Sequence, residues 1–320
     1  MKLVLSLAAV LVVVILAVWL KARAHETRAE AAYPPEGHLL SVNGYQVHAV
    51  VMGPDTGDVP EVVLIHGSSG STRDMTFKLA PALAERYRVF VFDRPGLGYT
   101  DPISSTGASL AEQADLLSAA ALQLGAQKPL VVGHSYGGAV ALAWAVHHPD
   151  QISGLVALAA ASHPWDTGLT TYYKILSHPV IGPIVIPLIT AFVGEERVAQ
   201  ELEGIFLPDQ VPEGYIAHFG PDLTLRRSSM RANALQRRNL LAEIEELSPR
   251  YPEIDMPVEI LHGDQDFAVG YDIHSTRLKN AIDGADLRPL EGHGHMIQHA
   301  APEAVIDAID RAAARAGLTP

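Results

Sequence analysis

The sequence predicts an α/β protein. A mostly parallel sheet carries helices on both faces and takes up a large helical insertion, and an N-terminal helix long enough to cross a membrane precedes it. Three observations carry this expectation. Short continuous apolar runs alternate with segments of helical period along most of the chain, which is the pattern of strands buried on both faces. The stretch 162–255 separates two of those runs and is too long for an ordinary crossover. Leu3 to Leu20 is an unbroken apolar run in which Ser6 is the only polar side chain.

The N-terminal run comes first. Its 18 residues would span about 27 Å as a helix at roughly 1.5 Å per residue, enough to cross a bilayer. A cleaved secretory signal is the alternative, since Lys2 supplies a positive start and Ala22-Arg23-Ala24 has the small-x-small form of a cleavage site. An uncleaved anchor is preferred because the run exceeds the usual core of a signal peptide, about 7–15 residues. Residues 1–21 are therefore read as transmembrane anchor or signal segment, with the following domain extracytoplasmic, or secreted if cleavage occurs. Residues 22–36, polar, Ala-rich and closed by Pro34-Pro35, read as a tether. Basic residues lie on both sides of the run, so charge does not fix its orientation.

From Gly37 onward the pattern is that of a sheet. His38 to Val42 and Gln46 to Met52 flank Asn43-Gly44, a dipeptide suited to a tight hairpin. Strands are then expected at 62–65, 89–92, 129–132, 155–159, 258–261 and 286–289, with helices at 78–86, 110–124, 138–148 and 302–316. The core is assigned to 37–161 and 256–320, and the helical lid to 162–255. Within the lid, the apolar stretches 172–176 and 180–193 are interrupted by Pro179, Pro183 and Pro187, which forbid one continuous helix. Arg226, Arg227, Arg231, Arg237 and Arg238 alternate with apolar residues. Solvated charge or ion pairing within the lid is their expected role, and contact with anionic lipid the sharper alternative.

Composition narrows the function classes. The 320 residues carry 36 acidic and 23 basic side chains, a formal charge of −13 with His neutral, and the basic residues form no concentrated patch. Nucleic acid is therefore not an expected partner. Absence of Cys excludes disulfides, thiolate metal sites and a cysteine nucleophile. His147-His148 and His293-x-His295 come without a carboxylate cluster at ligand spacing, so neither a metal nor any other cofactor is expected.

Chemistry is concentrated in Gly133-His134-Ser135-Tyr136-Gly137, a Gly-x-Ser-x-Gly pattern placed directly after an apolar strand and before a helix. Small residues at Gly133 and Gly137 permit a sharp turn there, and Ser135 is presented at a helix start, where N–H groups favour developing negative charge. A serine hydroxyl needs a base and an orienting acid. His262-Gly263-Asp264-Gln265-Asp266 and Glu291-Gly292-His293-Gly294-His295 supply both in that order.

Together with these segments, Leu64-Ile65-His66-Gly67-Ser68 and Asp93-Arg94-Pro95-Gly96-Leu97-Gly98 make the chain resemble the α/β-hydrolase superfamily, in its serine-nucleophile branch, from about Gly37 to Ala316. The resemblance implies an eight-stranded-type α/β-hydrolase sheet with a helical lid. It implies Asp266 rather than Asp264 as the acid, and His295 rather than His293 as the base. It also implies that the backbone N–H groups of Ser68 and Tyr136 receive the oxyanion. The Asp93 turn reads as structural.

The expected activity is hydrolysis of a carboxylic ester of a small hydrophobic substrate by a serine hydrolase, carboxylesterase- or lipase-like, at a membrane contacted through the N-terminal helix. Carbon–carbon bond hydrolases, lactonases and haloperoxidase-like enzymes share the same triad. A membrane-anchored, non-catalytic binding protein is the reading from another class.

Overall fold

A computed structural model describes residues 1–55 and 59–319. Eight strands form one sheet: β1 (His38–Val42), β2 (Tyr45–Met52), β3 (Glu61–Ile65), β4 (Arg88–Phe92), β5 (Leu130–His134), β6 (Gly154–Leu158), β7 (Val258–Gly263) and β8 (Asp286–Leu290). Their order is β1-β2-β4-β3-β5-β6-β7-β8. The pairings β1–β2 and β2–β4 are antiparallel and the others parallel. Val42 pairs with Tyr45, so Asn43 and Gly44, both at positive φ (51° and 86°), make the two-residue turn that the dipeptide favours.

Alternation along each parallel strand explains the continuous apolar runs. Val63, Ile65, Phe90, Phe92 and Val131 pack on one face of the sheet beneath α4 (Leu110–Gln123) and α5 (Tyr136–His147). Val62, Leu64, Val89, Val91 and Val132 pack on the other with α3 (Leu79–Leu83) and α14 (Pro302–Arg315). Both faces are dry, so both sets of alternating side chains must be apolar. The helix expected over 78–86 is shorter, and a separate α2 (Thr72–Thr76) precedes it, its first turn capped by the Ser71 side chain accepting from Arg73 N.

Between β6 and β7 lie α6 (Thr171–Ser177), α7 (Gly182–Phe192), α8 (Glu195–Phe206), α9 (Tyr215–Phe219), α10 (Pro221–Thr224) and α11 (Arg227–Leu247). Helices α6 and α7 meet at 111°. The chain breaks around Pro179, whereas Pro183 sits in the first turn of α7, where its missing N–H costs nothing, and Pro187 is taken into the helix interior. Beyond β7, α12 (Arg277–Ala281) and α13 (Ile297–Ala300) complete the helices before α14.

The N-terminal helix α1 (Lys2–Ala32) departs from expectation in its second half. Its apolar part, exposed from Leu3 through Leu16 and again at Trp19 and Leu20, has the length and composition of a membrane span or a signal sequence. The stretch read as a tether is helical through Ala32 and docked. Ala, Glu and Arg are strong helix formers, and Ala22, His25, Glu26 and Ala29, at helical spacing, make one buried stripe against α7 and α10. Polar composition there is a docking face instead of a linker.

The arginine run is likewise corrected. Arg227 grips Glu26 of α1 bidentately, Nε to Oε1 at 2.8 Å and Nη2 to Oε2 at 2.7 Å, and Arg226 reaches Glu30 at 3.4 Å and the Gly98 carbonyl. Arg231 and Arg238 donate to carbonyls at the end of α6, Leu176 and Ser177. These side chains therefore bind the lid to the N-terminal helix and to itself.

Candidate active site

Strand β5 ends at His134 and α5 begins at Tyr136, leaving Ser135 alone at the turn with φ 55° and ψ −118°. A non-glycine residue at positive φ is held there only where its surroundings over-determine the backbone. Here the Ser135 N–H donates to Leu158 O at 2.9 Å and the Ser135 carbonyl accepts from Ala161 N at 3.2 Å, both from the neighbouring β6 end. The flanking glycines are obligatory for a steric reason. A Cβ on Gly133 would strike the Gly137 carbonyl, one on Gly137 the carbonyls of Ile65 and His66, and one on Gly138 the Ala160 side chain.

Loops at the carboxyl ends of β7 and β8 bring the next two groups. Asp266 Oδ2 accepts from His295 Nδ1 at 2.6 Å and from His262 Nε2 at 2.9 Å, while Oδ1 accepts from the N–H groups of Ala268 and Val269 at 2.8 and 3.0 Å. Burial alone would raise the Asp266 pKa, but the hydrogen bonds from His262 and His295 more than offset it and hold the carboxyl well below its usual range. Asp264 does otherwise: its Oδ1 accepts from Gly292 N at 2.8 Å and fixes the β8 loop. His293 pairs with Asp209 of the lid at 2.9 Å. Ser135 and His295 line the same cavity, and among the described residues no hydrogen bond joins them. Such contacts commonly tighten only when substrate is bound.

The loop after β3 closes the other side. A Cβ on Gly67 would come 3.2 Å from Ser135 Cβ, so the loop runs against the serine. Ser69, at φ 56°, is held by Asn233 of α11, whose Oδ1 accepts from Ser69 N at 3.0 Å and whose Nδ2 donates to Ser69 Oγ at 2.9 Å. Ser68 lines the cavity with Ser135, and Tyr136 is fully buried behind it. In the Asp93 turn, the carboxylate accepts from Thr72 N at 2.6 Å and Tyr99 N at 2.8 Å and pairs with His48. That is the work of a structural turn.

The cavity measures about 760 Å³, within the range of ligand sites. Lid residues dominate its wall: Leu176, Ile189, Val193, Leu202, Ile205, Leu225 and Met230 are apolar, and Tyr172, Tyr173 and Arg237 add polar tips. Sequence reasoning missed several polar groups near the site. Asp74 accepts from Tyr215 at 2.7 Å and from His299 at 2.8 Å beside the cavity. His134, directly before the serine, donates Nε2–H to the His295 carbonyl at 3.0 Å, and burial, then the neighbouring His295, push its pKa down to about 3. Arg94 and Asn233 reach the Gly67 loop from outside it. A single chain gives no signal for such contacts, because their partners lie tens to more than a hundred residues away.

An eight-stranded sheet with a sharp β5–α5 turn, a lid between β6 and β7, and an acid and a histidine on the β7 and β8 loops defines the class: an α/β-hydrolase fold with a helical cap. Comparison with known proteins agrees. The family model for the alpha/beta hydrolase fold matches residues 60–179. The chain is 28% identical over 255 residues to the magnesium-chelatase 30 kDa subunit of Rhodobacter capsulatus, covering 78% of this chain and 86% of that one. It is 29% identical over 262 residues to a 2-hydroxy-6-oxononadienedioate/2-hydroxy-6-oxononatrienedioate hydrolase of Klebsiella pneumoniae, covering 76% and 84%. Among solved structures, a membrane phospholipase A described as a bacterial virulence factor superposes with a TM-score of 0.68 at 20% identity, covering 99% of this chain and 97% of that one. The fold is that of the α/β-hydrolase superfamily, and the family match together with these relatives supports a hydrolase of that fold.

Proposed function

We propose that the protein is a serine hydrolase that cleaves a carboxylic ester of a hydrophobic substrate through an acyl-enzyme. The observation carrying this reading is the convergence, at one apolar cavity, of Ser135 on a strained turn and a His295–Asp266 pair at 2.6 Å. In the first step Ser135 Oγ attacks the ester carbonyl while His295 Nε2 takes its proton, and Asp266 holds the imidazole through Nδ1–H. The carbonyl oxygen gains the negative charge and is received by the N–H groups of Ser68 and Tyr136. His295 returns the proton to the departing alcohol, and water, deprotonated by the same imidazole, releases the acid from Ser135.

The apolar wall suits an acyl chain, each buried CH₂ contributing up to about 0.8 kcal/mol until the cavity is filled. The apolar half of α1 supports a membrane-anchored location with the domain extracytoplasmic, secretion after cleavage being the alternative. Incubation with a fluorophosphonate probe should label the wild type and spare Ser135→Ala. A series of esters should rise in kcat/KM beyond acetate. Labelling that survives Ser135→Ala rejects the mechanism, and a steady decline from acetate rejects the hydrophobic substrate while leaving the mechanism standing.

Carbon–carbon bond hydrolysis is a second reading. It is favoured by the name of the Klebsiella relative and by Arg237, a cation on the cavity wall with no carboxylate within ion-pair distance among the described residues. Turnover of an acylated 2-hydroxydienoate faster than of any ester in the series would select it.

A further inference from the structure

Arg94 is a guanidinium in the core of the protein. It is 0% exposed, and among the described residues no carboxylate lies within ion-pair distance of it. Every acceptor it meets is neutral: Nε donates to His66 O at 3.0 Å, Nη1 to Gln113 Oε1 at 3.0 Å and Gln236 Oε1 at 2.8 Å, and Nη2 to Gly67 O at 3.0 Å. Its plane lies over the Tyr136 ring, 4.2 Å from the centroid. A buried cation without a counter-charge is costly, so its position calls for an account beyond packing.

The partners supply one. The carbonyl of Gly67 belongs to the same peptide group as the N–H of Ser68. That peptide is trans, so the two point in opposite directions, and pinning the oxygen fixes the line of the N–H in a loop that runs against Ser135. The same oxygen accepts from His66 Nδ1 at 2.9 Å, while His66 Nε2 accepts from the Arg94 N–H at 3.0 Å, which fixes the neutral tautomer. A positive charge on the carbonyl end of an amide withdraws electron density and makes its N–H a stronger donor. The second oxyanion donor is the N–H of Tyr136, whose ring the same guanidinium covers.

We infer that Arg94 is a positioning residue for the oxyanion hole, holding the Gly67–Ser68 peptide by its carbonyl and Tyr136 by its ring so that both N–H groups are aimed at the charge that develops on the substrate. This rests on the acyl-transfer reading of Ser135. Two neutral amides hold the guanidinium from two helices, one in the lid and one in the core: Gln236 of α11 also donates to Pro95 O at 2.7 Å, and Gln113 of α4 donates to Ala108 O at 3.0 Å. Arg94 is fully buried and does not line the cavity, so its effect must appear where charge is greatest, in the transition state.

The test uses the full chain in detergent, with kcat and KM for a medium-chain p-nitrophenyl ester and the inhibition constant of a trifluoromethyl ketone, which Ser135 converts into a tetrahedral alkoxide adduct. Arg94→Met should lower kcat by about 10²–10³ with KM within about threefold, and weaken the ketone by a similar factor, as loss of an oxyanion donor does. Arg94→Lys, which keeps the charge but loses the fork, should fall between the two. A kcat within threefold of wild type, or a lower kcat with unchanged ketone affinity, overturns the inference. Should Arg94→Met fail to fold, Gln236→Leu takes its place: it leaves the cation but frees one arm, and a three- to tenfold loss in kcat at constant KM is expected, an unchanged kcat overturning the proposal. Ser135→Ala separates the layers. Turnover surviving in Ser135→Ala refutes the acyl-transfer reading itself, whereas a dead Ser135→Ala beside a normal Arg94→Met refutes only the role of Arg94.

Discussion

Asp266 serves two imidazoles at once, and this sets what its replacement should do. His295 takes Oδ2 at 2.6 Å and His262 the same oxygen at 2.9 Å, with His262 anchored in turn by Ser275 Oγ at 2.6 Å and Val269 O. Asp266→Asn would place an amide where His295 Nδ1–H needs an acceptor, and ester turnover should drop by at least about 10³, whereas Asp264→Asn, which disturbs only the turn at Gly292, should stay within about threefold. Steady-state kinetics on the two variants decides, and the reverse ranking would move the acid to Asp264. The acid limb of stability also resides in single groups. Burial, and then a nearby cation or imidazole, push His66 and His163 down to about 4 and His134 and His274 to about 3. With an unfolded pKa near 6.5, the unfolded chain binds more protons below that value, so each neutral histidine contributes stability that is lost as pH falls from about 6.5 toward its folded value. Two groups act oppositely. Glu243, raised to about 7 by burial, and His48, which burial would lower but its bonds to Asp93 raise, both favour the folded state on protonation. His147 and His218, also lowered by burial, add to the four, while His48 has already given its full contribution below about 6.5 and Glu243 alone opposes them there, so the urea midpoint should fall between pH 6.5 and 5; a midpoint that rises would show the histidines do not dominate.

The strand-to-helix turn at Ser135 shows most clearly what a sequence discloses about an element. Gly133 and Gly137 were readable as sites where no side chain fits, because the constraint is local and steric, and the carbonyls of Gly137 and Ile65 are what a Cβ would meet. Gly137→Ala should therefore cost several kcal/mol, beyond the about 1–3 kcal/mol of ordinary overpacking, and abolish a cooperative thermal transition near that of the wild type. Calorimetry beside Gly137→Ser, which should fail equally, provides the check. The strands were legible for a related reason: period and apolar run are properties of a few consecutive residues, and all eight strands fall within two residues of where the pattern puts them. Helix α11 was not legible in the same way. Asn233 holding Ser69, Gln236 holding Arg94 and Arg227 holding Glu26 are long-range pairings that no window of the sequence contains. The docked half of α1 was misjudged because a stripe of Ala with Glu and Arg looks the same whether it faces water or the partner surface of α7.

For the whole molecule, the N-terminal helix is part of the structure that carries the site. Glu26 and Glu30 pair with the first residues of α11, and α11 in turn holds the Ser69 loop and Arg94. Deleting residues 1–21 should leave a folded, active domain, since the pairs and the buried stripe from Ala22 remain. Deleting residues 1–32 unpairs Arg226 and Arg227 and bares the faces of α7 and α10, and should lower the melting temperature by several degrees together with kcat; equal behaviour of the two truncations would show that the docking carries no weight. The unbroken course of α1 has a further consequence under the anchored reading. Its 31 residues measure about 46 Å against roughly 30 Å of hydrocarbon, and the surplus is clamped to the lid without a hinge. The catalytic body then rides at a fixed height and tilt above the lipid, and its encounters with bilayer-dissolved esters occur in two dimensions. In vesicles, the rate should follow the mole fraction of substrate in the surface, falling as inert phospholipid is added at constant bulk ester, whereas the protein lacking residues 1–21 should respond to bulk concentration alone.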